Sequence, residues 1–185
     1  VKIAAEKIGA GAEQFAIHIG GQEPGLHNAL FLPSRATGFT CDPTPGRHTA
    51  APMARIDGGP GAFGPYPELK IEAYDRYTYT GKGPMSATAS SYLQAGASAG
   101  LCLMPLMFFG NFPFVDFFNA VTGWNLEVSE VLNTGARIQT LRQCFSVREG
   151  IQPSDINLPQ RMVGRPPQKE GPVAGVTLDI DNLAR

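Results

Sequence analysis

The chain is poor in cysteine: three in 185 residues, Cys41, Cys102 and Cys144, spaced about forty to sixty residues apart. That scarcity excludes a disulfide framework and points to a reducing compartment, the cytoplasm. No Cys-x-x-Cys pair occurs, so the chain cannot by itself offer the four thiolates that an iron–sulfur cluster needs. Charge of one sign is lacking as well. A formal net charge of −1 gives no electrostatic case for nucleic acid or an anionic membrane. No apolar run approaches the ~20 residues of a membrane span. The longest, from Leu101 to Phe118, is interrupted by Pro105, Gly110, Asn111, Pro113 and Asp116. No charged-then-apolar leader follows Val1, so no signal peptide is read.

Glycine and proline are abundant, 22 and 16 residues, roughly a fifth of the chain against about an eighth in average usage. With apolar residues at 43%, that excess means long irregular segments rather than disorder, wrapped around a cofactor or another domain. The length allows one domain, or two small lobes, with a real core.

Val1 to Phe15 reads as a short amphipathic helix weakened by Gly9 and Gly11, and Ala16 to Ile19 as a brief strand closed by Gly20-Gly21. From Gln22 to Pro67 turn chemistry dominates, and a loop that long is read as functional. Leu69 to Thr80 fits a strand or a short helix equally. Helices are predicted over Pro84 to Ala97 and Phe112 to Val121, the second stopped by Thr122-Gly123. The clearest helix is predicted to start at an N-cap Ser129 with Glu130 in its first turn. It carries Val131, Leu132, Gly135, Ile138, Leu141, Cys144 and Phe145 on one face and ends at Gly150-Ile151. Five later prolines force an extended tail whose last ordered piece is Val176 to Ile180, and a helix begins near Asp181.

Gly59-Pro60-Gly61-Ala62-Phe63-Gly64 matches a dinucleotide-binding pattern in letters, but Pro60, Pro65 and Pro67 deny it a following helix, so it reads as a surface loop. Asp42-Pro43-Thr44-Pro45-Gly46-Arg47-His48-Thr49 is denser: two prolines fix the backbone, Gly46 permits a sharp turn, and a cation, an imidazole and a hydroxyl follow together. Such a loop can hold His48 for proton transfer. The residues alone leave His48 between that role and a structural one. His18 reads as structural and His27 stays undecided. Cys144, Trp124 and the Phe residues from 108 to 118 read as core, and Cys41 as a merely buried thiol. Gly100-Leu101-Cys102 follows two small-residue runs, Ser86 to Ser90 and Ala95 to Ala99. Its thiol is either a small buried apolar group or a ligand whose companions lie on other polypeptide.

Taken in order, Gly21-Gln22-Glu23, Asp42 to Thr49, Ser98 to Leu103, the helix Val131 to Arg148 with Glu149-Gly150, Leu158-Pro159-Gln160-Arg161 and Glu170 to Gly175 resemble one family. It is the C-terminal part of the tungsten-containing aldehyde:ferredoxin oxidoreductases, which include the tungsten subunit of class II benzoyl-CoA reductases. The resemblance implies a mainly helical fold with long Gly/Pro-rich loops and little strand, residues 1–185 being the C-terminal helical portion of a larger enzyme. It implies a tungsten (or molybdenum) bis-pyranopterin beside a [4Fe–4S] cluster, three cluster ligands coming from a Cys-x-x-Cys-x-x-x-Cys run in an N-terminal portion outside this chain. Cys102 matches the fourth ligand, from an Asp-x-x-Gly-Leu-Cys motif. Gly100, Leu101 and Leu103 fall where that motif meets the cofactor, and Thr44 where some relatives place a cofactor-contacting arginine. His48 matches a histidine beside the metal, with Arg47 stabilising developing negative charge. Ala97 stands where the motif has its aspartate. The function implied is oxidation of a small aldehyde with ferredoxin, or an electron-transfer subunit, as acceptor. Alternatives are reduction of an aromatic substrate as in the benzoyl-CoA reductases, and a non-catalytic binding or assembly module of the same fold.

Overall fold

The computed structural model describes residues 1–25, 27–50, 53–57, 64–72, 74–108 and 111–183. Most of the Gly59–Gly64 motif lies outside them. The protein is mainly helical, as the sequence leads one to expect, and among the described residues the only bridge outside helices and turns is the antiparallel pair Ile19–Gln22. The predicted strand is thus a single tight turn across Gly20-Gly21, both glycines having positive φ. Among the described residues no helix is long and apolar enough to cross a membrane.

Among the described residues eight α-helices are joined by long irregular segments: α1 Lys2–Ile8, α2 Ser34–Cys41, α3 Ala54–Asp57, α4 Lys82–Ser98, α5 Leu103–Phe108, α6 Phe114–Thr122, α7 Val128–Arg148 and α8 Ile180–Leu183. Helix α1 stops at Gly9, whose φ of 65° a helix cannot use, and a separate 3-10 turn covers Ala12–Phe15. Residues 74–80 form turns rather than a strand or helix. Helix α2 lies inside the stretch predicted to be loop. Ser34, Arg35, Ala36, Thr37, Gly38 and Phe39 are all buried, so it presents no polar face and no apolar stripe to read. Its polar groups bond inside the protein: Thr37 Oγ1 donates to the Leu183 carbonyl at 3.0 Å, and Thr40 Oγ1 to that of Ala36 at 2.9 Å.

Among the described residues two apolar clusters form. One gathers Leu69, Tyr92, Leu93, Leu106, Phe114, Val128 and Val131 around α4 and α7; the other gathers Ile19, Leu30, Phe39, Leu158, Val163 and Leu178 around α2 and the tail. The small residues of α4 let α7 approach closely: a Cβ on Gly135 would sit 1.9 Å from the Ser91 carbonyl oxygen. Helix α7 begins at Val128 with Glu127 as its N-cap, two residues before the predicted cap Ser129, because the Glu130 carboxylate accepts the Glu127 N–H at 2.8 Å. The expected apolar face of α7 is buried only over its first turns, at Val131 and Gly135. Leu141 is 72% exposed, Phe145 57%, and Cys144 is exposed, not core. Trp124 and Phe117 likewise lie outside the core, whereas Phe114 is within it.

Candidate functional site

At the end of α2 the backbone of Asp42 turns to an extended conformation, and the chain enters the Asp42–Thr49 loop. The Asp42 carboxylate folds back to accept the Thr44 N–H at 2.8 Å, and Gly46, at φ +74°, donates to the Phe39 carbonyl at 3.2 Å. That closes the sharp turn which Pro43, Pro45 and Gly46 prescribe. A 3-10 turn, His48–Ala50, follows, and Ser90 Oγ of α4 donates to the Ala50 carbonyl at 3.1 Å.

The carboxylate of Asp42, 2% exposed, is the hub of the loop. Arg142 of α7 donates to it at 3.2 Å, Gln139 at 3.5 Å and Arg47 at 3.5 Å. Arg142 also donates to Thr44 Oγ1 at 2.7 Å, to Gln139 Oε1 at 2.7 Å and to Gln94 Oε1 of α4 at 3.1 Å, and Ser146 donates to the Pro43 carbonyl at 3.2 Å. The network thus fastens the loop to both long helices. The sequence reading missed Arg142 and Gln139. The signal was present: Gln139, Arg142 and Ser146 recur at spacings of three and four along α7, a polar ridge that continues the Gly135 side of the helix, the side packed on α4.

His48 is placed from the other side. A Cβ on Gly25 would lie 2.5 Å from His48 Nδ1, so glycine there gives the imidazole its room. His27 stacks beside it, ring centroids 5.1 Å apart and tilted 43°. The His48 carbonyl accepts from Arg35 Nη1. Arg35 is 6% exposed, and its Nε has no partner among the described residues. Burial pushes the Arg35 guanidinium down, partly opposed by the charge of Asp57. Burial also lowers His27, and the positive charges of Arg35 and His48 lower it further. Arg47 is pushed down by burial while Asp42 holds it up, and its Nε too is buried without a partner.

Behind this lies a buried ion pair that the sequence did not reveal. Lys82 Nζ is 3.5 Å from Asp57 Oδ1, with both side chains 0% exposed. Asp57 accepts the Ser34 N–H at 2.6 Å, and Lys82 donates to the Arg76 carbonyl while lying 4.6 Å over the Tyr74 ring. The starts of α2 and α4 are thereby pinned together. Burial lowers Lys82, and Asp57 counters it.

The second group of site residues sits at the far end of α4. Gly100, at φ +84°, donates to the Ala97 carbonyl at 3.1 Å, and Leu101 donates to that of Gly96 at 3.1 Å. These two bonds are a Schellman cap, which requires a residue tolerant of positive φ and then an apolar one. Leu101 packs on the core cluster of α4 and α7, while Cys102 is exposed and leads into α5, which begins at Leu103. The order Gly-Leu-Cys therefore has a local physical meaning: stop the helix, anchor the stop, present the thiol.

Thr44, Arg47 and His48 are brought together, and Gly100, Leu101, Cys102 and Leu103 form their own group. Helix α4 links the two, for Ser90 and Gln94 hold the loop network and Ser90 to Ser98 spans about 12 Å of helical rise. Among the described residues no three His, Cys, Asp or Glu side chains cluster as a metal site. Cys41 is exposed, against the reading of a buried thiol, and His18 Nδ1 is buried without a partner.

The model of the family described as aldehyde ferredoxin oxidoreductase, domains 2 & 3, matches residues 1–185. No curated protein and no solved structure matches the chain. The helical architecture and the family match agree, and the chain belongs to the aldehyde ferredoxin oxidoreductase family.

Proposed function

We propose that this chain forms the helical part of a tungsten- or molybdenum-pterin oxidoreductase that oxidises small aldehydes to carboxylic acids and passes the electrons to ferredoxin. One observation carries the reading: the Schellman cap Gly100-Leu101-Cys102 exposes a single free thiol at a fixed point beyond α4. A lone thiol fits a cluster whose other three ligands come from polypeptide outside this chain. It does not fit a site built from these residues alone. Gly100, Leu101 and Leu103 would border the cofactor there. On the loop side, Arg35 and Arg47 each keep a buried, unpartnered Nε, which suits an anionic group.

Bound metal–pterin and cluster supply two-electron oxidation and one-electron relay. The chain's own residues orient and handle charge. Overall, an aldehyde and one water give a carboxylic acid, two electrons and two protons. His48, held by Gly25, His27 and Arg35, takes up a proton as water adds oxygen to the carbonyl carbon. The Arg47 guanidinium stabilises negative charge growing on the substrate oxygen. Thr44, fixed by Arg142, keeps the loop backbone in register.

Ala97 motivates a second reading, a non-catalytic module of the same fold. It puts a methyl in the last turn of α4 where the motif has a carboxylate. Elemental analysis of the full-length protein, purified anaerobically from its native source, decides between them. Tungsten or molybdenum with about four irons per chain supports the enzyme. A metal-free protein would sink it and favour the module.

A further inference from the structure

A shallow groove of about 340 Å³ runs between residues 27–30 and the 3-10 turn Gln160–Val163. Its polar lining is His27, Asn28, Arg161 and Gln168, with Leu30 and Met162 as apolar floor. Among the described residues no carboxylate lines it. All four polar side chains can donate N–H bonds. Asn28 spends its oxygen on the Leu30 N–H at 2.8 Å, which leaves its amide nitrogen as the free end. Arg161 takes no part in the ion pairs among the described residues, and its guanidinium lies 5.4 Å over the Phe15 ring. A guanidinium steadied on an aromatic face, with no acid against it, is built to meet an anion.

The groove joins the site already described, because His27, in its wall, stacks on His48 at 5.1 Å. Arg35, bonded to the His48 carbonyl, adds buried positive charge with no hydrogen-bonded carboxylate among the described residues. The depressed basicity of His27 reports the same positive surroundings after burial itself.

We infer that this groove receives the carboxylate released by aldehyde oxidation, with Arg161 as its charged anchor and the Asn28 and Gln168 amides as neutral donors. The inference rests on the proposed reaction, which turns an uncharged substrate into an anion beside His48. An aldehyde has no need of a cationic groove, and its oxidation product does. The product ionises well below neutral pH, so it leaves the metal side as a carboxylate and meets donors on its way out. No bond is made or broken in the groove.

Benzoate tests this on the full-length, cofactor-loaded enzyme, by calorimetric titration and as an inhibitor of aldehyde oxidation. Arg161→Gln is expected to raise both the Kd and the inhibition constant about tenfold, and Arg161→Lys to recover most of that loss. Benzamide, the uncharged counterpart, is expected to bind at least about tenfold more weakly than benzoate. Benzoate binding unchanged in Arg161→Gln overturns the inference. Equally tight competition by chloride or inorganic phosphate also overturns it, since the groove would then be a general anion site. The two readings fail separately. An enzyme that oxidises aldehydes but binds benzoate without regard to Arg161 loses the groove alone. One that binds benzoate through Arg161 yet oxidises no aldehyde loses the reaction and keeps a carboxylate site.

Discussion

Arg142 and Asp42, a hundred residues apart in the chain, meet at 3.2 Å, and through them the loop bearing His48 is held to the longest helix. Removing one partner of a buried pair costs about 3–5 kcal/mol. Here Arg47 still faces the same carboxylate, so Arg142→Ala is expected to cost about 2 kcal/mol. Chemical denaturation of the full-length protein measures it. An unchanged midpoint would show that the other partners suffice.

Gly25→Ala addresses the imidazole without touching it. The new methyl would stand 2.5 Å from His48 Nδ1, so the ring must move. Misplacement of about 1 Å at a reacting group costs about a hundredfold in rate. We expect kcat/KM for aldehyde to fall between about tenfold and a hundredfold while iron and tungsten content stay at wild-type levels. Full activity would mean that the position of His48 is immaterial to the chemistry.

The cap and the thiol separate cleanly by mutation. Gly100→Ala meets no atom within 4 Å, so its cost is conformational alone, about 1 kcal/mol for a φ of +84°. Cys102→Ala removes an exposed group and is expected to change the stability of the metal-free chain by less than about 0.5 kcal/mol. Iron per chain should nevertheless drop in Cys102→Ala. A fully assembled cluster in that variant, seen by electron paramagnetic resonance, would dismiss the ligand assignment.

Gly135→Ala should be among the most damaging single-methyl additions, because the obstacle is the Ser91 carbonyl at 1.9 Å rather than a side chain that can swing away. Helices α4 and α7 would have to part, at about 3 kcal/mol or more. A thermal midpoint within a degree of wild type would contradict the packing described.

Tyr66 supplies a pH test. Its hydroxyl donates to Asp116 at 2.7 Å and accepts the Val115 N–H at 3.0 Å, capping α6. Burial, then the hydrogen bond to Asp116, pushes the phenol up to about 12. The unfolded chain releases that proton near pH 10, so the folded state holds it longer. The stabilisation is therefore complete below pH about 10 and lost as pH climbs towards about 12. Tyr66→Phe should be less stable than wild type at pH 8, with the gap closing over that range. A gap that stays constant to pH 12 would refute it.

Legibility differed from element to element, for physical reasons. Helices α6 and α7 announced themselves by their periodicity and by the positive-φ glycines that stop them, Gly123 and Gly150, and α4 by its run of small residues before Gly100. The same periodicity misled at Leu141, Cys144 and Phe145, since an apolar stripe reports a capacity to be covered, not what covers it. Helix α2 escaped because a helix buried all round has no stripe. His48 and Arg47 stood out through the rigid loop around them. Arg142, Gln94 and the Lys82–Asp57 pair did not, for their partners lie 25 to 100 residues away and only folding brings them together.

The helix-end turn at Gly100 has a consequence for assembly. Its hydrogen bonds are local, drawn from residues 96 to 101, and its anchor is a leucine in the chain's own core. The thiol's address is thus written by backbone geometry alone, with no metal needed to set it. If Cys102 is the cluster ligand proposed above, maturation is delivery to a prepared berth rather than metal-driven folding, and inserting a single residue between Leu101 and Cys102 would move the berth while leaving the helix, its stop and its core untouched.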